Sequence, residues 1–237
     1  MGGGSSSPSP WTSSKTRLQK LEQAIQDHDT QLINVILDSF TPARFPKLPT
    51  PHAINTYSLL EGQHFQLVLF HFNKGAKIPL HDHPNMTVFT KIVFGNLHVT
   101  SFDYANRPPR PKLLDAQEQA VKRGDSIPDP ITHQIVPRMD AKISSSNPLL
   151  ILTPTEGNLH AFEAISETLV LDLLTPPYEP DEARNCHYFE LDSLNVARPP
   201  HVTAARGVSV MDEPDWLDIR AGPAELIDVI TDYMNRE

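Results

Sequence analysis

Proline occurs 23 times in the 237 residues, about twice the average usage of roughly 5%. Its ring fixes φ and removes a backbone donor, so proline is poorly tolerated inside helices and central strands. A chain punctuated this often is expected to consist largely of turns, edges and short strands. Runs rich in β-branched and aromatic residues, bounded by Gly, Pro and Asn, fall at 65–72, 87–94, 97–104, 149–153, 159–164 and 168–174, and these are the candidate strands. Gly95 and Asn96 separate two of them as a tight hairpin turn would. An antiparallel sandwich or barrel is the expected architecture.

The flanks differ. Residues 1–10, MGGGSSSPSP, are low in complexity, and a disordered tail is expected over 1–14. Gly2 and Ser6 fit the myristoylation pattern formally, although a Gly/Ser/Pro tail matches it easily by accident. Leu18, Leu21, Ile25, Leu32, Val35, Ile36 and Phe40 recur mostly at steps of three and four, which predicts an amphipathic helix or helix pair within 15–44. Asp29 and Thr30 are good N-caps for a second helix. Four prolines between 41 and 51 end this region. A short helix is expected at 224–234, with Pro223 at its first turn.

Charge and composition exclude several function classes. Twenty Lys and Arg against 29 Asp and Glu leave a net charge of −9, the wrong sign for a phosphate backbone, so no nucleic-acid partner is expected. Apolar runs fall far short of the roughly 20 residues of a transmembrane helix, and no membrane partner is expected. The single cysteine, Cys186, rules out an internal disulfide framework and points to a reducing compartment, cytoplasmic or nuclear. The high net charge is compatible with a monomer.

Eleven histidines offer metal ligands. His81 and His83 lie two apart in a segment that Pro79 and Pro84 keep extended, so both imidazoles can face one ion. Gly75 and Gly95 complete the pattern Gly-x5-His-x-His-x11-Gly, the spacing of a cupin motif, but Thr87 and Val88 stand where that motif carries Glu. A third neutral ligand is therefore required. His133, in a segment of weak strand character, and His160, which opens an alternating strand, both compete for the place. His98 reads as a core histidine or one that supports a ligand.

The run 78–91, IPLHDHPNMTVFTK, resembles the metal motif of the plant cysteine oxidases and cysteamine dioxygenases, and the blocks GNLHAF at 157–162, LDLLTPPY at 171–178 and RNCHY at 184–188 resemble their second motif. The likeness spans roughly 48–191 in the right order. It implies an all-β cupin jelly roll with terminal helices, the cupin domain covering 45–200 and a C-terminal extension 201–237. The implied activity is that of an Fe(II) thiol dioxygenase placing both atoms of O2 on a thiol, with His81, His83 and His160 as iron ligands. Asp172 and Tyr178 become pocket residues, and Cys186 and Tyr188 flank the site. The implied substrates are an N-terminal cysteine of a protein or peptide, with oxygen sensing through the N-degron pathway as the consequence, or cysteamine. Two departures border the implied pocket: Asn85 stands where plant members usually have Gly, and 121–147 is longer than its counterpart.

Three imidazoles suit iron rather than magnesium or calcium and leave positions for thiolate, amine and O2. Asp172 lies in an apolar run where an unpaired charge is costly; a role in binding an amine or orienting a histidine is set against simple exposure on a half-buried strand. Free cysteine needs a cation for its carboxylate, and no Arg in the matched segments is clearly placed to supply one. A cupin binding module with a purely structural metal is the alternative from another class.

Overall fold

The structure, a computed structural model, describes residues 15–105, 123, 133–179, 184–191, 206–211 and 219–237. The expected tail at 1–14 lies outside them. Helix α1 (Arg17–Gln26) begins at a reciprocal cap: the Gln19 N–H donates to Thr16 Oγ1 at 3.3 Å and the Thr16 N–H donates to Gln19 Oε1 at 3.0 Å. The chain breaks at His28, whose φ is 55°. Asp29 then accepts from the Leu32 N–H at 2.9 Å and starts α2 (Thr30–Asp38), as its residue type predicts.

Twelve strands are present among the described residues: β1 (Ile54–Glu61), β2 (Gln66–Phe72), β3 (Lys77–His81), β4 (Thr87–Phe94), β5 (Asn96–Tyr104), β6 (His133–Ser144), β7 (Leu150–Leu152), β8 (Leu159–Ala164), β9 (Thr168–Thr175), β10 (Tyr188–Leu191), β11 (Arg206–Met211) and β12 (Ile219–Ala221), followed by α3 (Ala224–Met234). Six of them match the expected strands to within one residue at each end. The others carry polar residues or proline that hide the alternation. Pro79 of β3 sits where the register to β8 shifts between Ile78 and His81, and Pro137 of β6 faces the shift between Ser101 and Phe102 of β5. Bulges are where a strand tolerates proline.

The strands form two layers. One sheet runs β12-β1-β2-β9-β4-β7; the other, β10-β11-β6-β5-β8-β3, closes on itself. All pairings are antiparallel except β1 with β12. The expected hairpin at Gly95 is corrected here, because β4 and β5 belong to different sheets. Gly95, at φ 89°, passes the chain from one to the other, and the Asn96 N–H donates to Ser166 Oγ at 3.1 Å and Thr168 Oγ1 at 3.0 Å.

Strand β9 is buried on both faces. Its Leu169, Leu171 and Leu173 pack, with Leu67 and Leu69 of β2, beneath the apolar sides of the three helices, including Leu21, Leu37 and Ile230. The alternate row, Val170, Asp172 and Leu174, faces the interior between the sheets, where Val170 meets Ile92, Val99 and Phe162 and Leu174 meets Val68, Met86 and Val88. A carboxyl group therefore stands between the sheets.

Candidate metal centre

Strand β3 ends at His81, which lies directly opposite His160 of β8. His83 is not on the strand as expected but in the turn that follows, closed by the Met86 N–H donating to His83 O at 3.2 Å. Asn85 takes φ 56° in that turn. This is the left-handed region, which Asn tolerates better than most residues.

All three rings are buried, and their potential ligand atoms lie within 4.8 Å of one another. Ring centroids are 4.2 Å apart for His81 and His160, and 5.1 Å for His83 with either neighbour. Each Nδ1 is anchored behind the cluster. His81 Nδ1 donates to Pro79 O at 2.9 Å and His160 Nδ1 to Asn158 O at 3.3 Å. The Tyr178 hydroxyl donates to Asp82 O at 3.0 Å, so it accepts from His83 Nδ1 at 2.5 Å. These partners assign the tautomers and leave Nε2 of each ring for an ion. His83 Nε2 is buried without a partner, a gap that a bound metal would fill.

Burial lowers the pKa of His81, and it holds His83 and His160 well below the ordinary imidazole value, the neighbouring rings adding to the effect. Neutral imidazole is the ligating form. Burial, then the neighbouring Cys186, pushes Tyr178 well above the usual phenol value, so it stays a protonated partner to His83.

Three residues missed in the sequence, Asn158, Asp82 and His187, complete the frame. Asn158 receives the His83 N–H at 3.0 Å and donates to His83 O at 2.8 Å, clamping the turn to the start of β8; its only sequence signal is its place two before a ligand. Asp82 and His187 form the second frame, 3.1 Å apart. Tyr188 of β10 pairs with His81 in register, its ring 5.8 Å from the imidazole.

Asp172 lies on the other sheet, paired with Val68 and Thr90. Among the described residues it makes no hydrogen bond to the three histidines. Burial pushes its carboxyl up to about 7, partly opposed by the nearby Thr90 hydroxyl, yet Asp172 Oδ1 and Thr90 Oγ1 complete no hydrogen bond of normal geometry. His98 is neither core nor a support for a ligand: it alternates with buried Leu97 and Val99 on the outer face and meets Asp140 at 2.5 Å. His133 opens β6 opposite Val208, and among the described residues the histidine cluster consists of His81, His83 and His160.

The PCO_ADO family model matches residues 18–230. The chain belongs to this family. It is 31% identical over 163 residues to 2-aminoethanethiol dioxygenase of Homo sapiens, covering 68% of this chain and 58% of that protein. It is 29% identical over 188 residues to plant cysteine oxidase 1 of Arabidopsis thaliana, covering 77% and 58%. The chain thus spans less than two thirds of either relative. An RmlC-like cupin from Shewanella frigidimarina aligns at 13% identity and a TM-score of 0.36, covering 58% of this chain and 89% of that one.

Proposed function

We propose that this protein is an Fe(II)-dependent thiol dioxygenase whose substrate is an N-terminal cysteine of a peptide or protein. The reaction is RSH + O2 → RSO2H: both oxygen atoms end on sulfur, which becomes a sulfinic acid, and no further reductant is consumed. The observation that carries the reading is a buried set of three neutral imidazoles with outward-anchored Nδ1 atoms. Such a set carries no negative charge, so an anionic thiolate supplies it. Held there, ferrous iron would supply the redox chemistry that joins thiol and O2.

The chain's own residues bind and orient. Tyr178 keeps His83 in its ligating tautomer. Asp172, turned into the interior between the sheets with an unpartnered oxygen, receives the substrate amine in this reading. Oxygen sensing through the N-degron pathway, in cytoplasm or nucleus, follows as the proposed biological use. The human relative's name favours a second reading, oxidation of the small thiol 2-aminoethanethiol (cysteamine).

Mass spectrometry separates them. A peptide beginning with cysteine, incubated in air with the iron-loaded protein, is expected to gain two oxygen atoms, with no gain without O2 or after acetylation of its amine. Oxidation of 2-aminoethanethiol alone moves the function to small thiols. Oxidation of neither, with iron bound, rejects both readings.

A further inference from the structure

Asp82 stands between two of the three histidines, yet its side chain turns away from them. Its Oδ1 accepts from the His187 N–H at 2.9 Å and lies 3.1 Å from His187 Nδ1, while its own N–H donates to His187 O at 3.1 Å. The Tyr104 hydroxyl donates to Oδ2 at 3.5 Å and the Tyr178 hydroxyl to the Asp82 carbonyl at 3.0 Å. Asp82 and His187 are both buried.

We propose that Asp82 and His187 are a positioning pair that sets the metal affinity of the centre by locking the turn from His81 to His83 against the start of β10. The inference rests on the three histidines being a metal site. The Nδ1 anchors fix the tilt of each ring but not the separation of His81 from His83, which depends on the backbone of the residue between them. Asp82 is held there through its N–H, its carbonyl and both carboxylate oxygens, which leaves that backbone little freedom. A buried carboxylate is an expensive way to fill space, and an apolar residue would pack the turn without that cost. What the carboxylate adds is a directional link to the next strand, which also seats Tyr188 beside His81 and Cys186 against the Tyr178 hydroxyl.

The test uses the full chain, with Co2+ as the probe. Asp82→Asn supplies a donor where one acceptor stood, and it is expected to weaken Co2+ binding by about 10–100-fold and to shift the visible absorption of the bound cobalt. His187→Ala is expected to weaken binding in the same direction. His187→Asn, which places an amide N–H near the position of Nδ1, is expected to restore the affinity to within about threefold of the starting protein. Calorimetric titration gives the affinities, and thermal melts of the metal-free proteins report the fold. If Asp82→Asn does not fold, the two His187 variants carry the test, since they leave the carboxylate its backbone N–H partner. Co2+ affinities and spectra unchanged in folded variants, with only the melting temperature lowered, overturn the pair while leaving the metal site standing. A starting protein that binds no Co2+ overturns both.

Discussion

At the scale of the residue, the centre depends on an exchange of solvation for geometry. Burying three imidazoles lowers their proton affinity, which costs nothing to a group that must be neutral to ligate. Their Nδ1 protons are taken up by a backbone carbonyl in two cases and a tyrosine oxygen in the third, so no imidazole has to be reoriented when an ion enters. His160→Ala leaves two of the three ligands and is expected to lower bound metal at least about tenfold and to abolish turnover. Elemental analysis of the purified variant checks this. A normal metal content would transfer the third place to His133.

At the scale of the element, the site is held by strand ends and by the passages between sheets. Both glycines of the motif around His81 and His83 adopt positive φ, 83° at Gly75 and 89° at Gly95, for different surroundings. A Cβ at Gly75 would meet nothing within 4 Å, whereas one at Gly95 would stand 2.3 Å from Glu167 O and 2.6 Å from Thr168 Cα. Gly75→Ala is therefore expected to cost about 1 kcal/mol, from conformation alone. Gly95→Ala is expected to cost about 3 kcal/mol or more, because backbone on the neighbouring turn must also move. Urea denaturation of both variants checks the ranking, and equal losses would remove the close approach as the cause.

At the scale of the whole molecule, the helices cover one face of a sheet whose other face looks into the interior between the sheets, and the first and last helices meet there, the Arg17 N–H donating to Arg236 O at 3.0 Å. Tyr233 of α3 lies between Arg17, 4.4 Å from the ring centre, and Arg44, at 3.8 Å. Among the described residues, two kinds of buried group contribute to the pH dependence of the metal-free protein with opposite signs. The depressed histidines bind protons in the unfolded chain below about 6.5 that the native chain refuses, so stability falls as pH drops below that value. Asp172 has the opposite sign. Its pKa rises from 3.8 to about 7, so the native chain holds a proton that the unfolded chain has released, and its contribution declines between those values by roughly 4 kcal/mol. Asp172→Asn is expected to retain metal, to lose most turnover, and to gain stability over the starting protein progressively from about pH 4 to 7, with a constant gap above. Melting curves against pH check the stability, and parallel curves would show that Asp172 does not titrate in this range. An unchanged kcat/KM would take it out of the reaction.

What the sequence determined by itself is local: the helices with the second one's cap at Asp29, six strands with clear β character, and a His-x-His pair close enough to share one ion. These follow from propensity, period and the geometry of adjacent residues, which act over a few positions. Long range, the sequence was ambiguous. Residue types alone left His133 and His160 both open, and the likeness of an ordered set of motifs favoured His160. Only the tertiary structure decided that β3 pairs with β8 so that His160 faces His81, that Gly95 changes sheets instead of turning a hairpin, that His98 faces outward, and that Asp82, Asn158 and His187 frame the ligands. Such relations join positions up to about a hundred residues apart, as Asp82 and His187 show. They are set by strand register and by the need of each buried polar group for a partner, neither of which is written in the composition of any single segment.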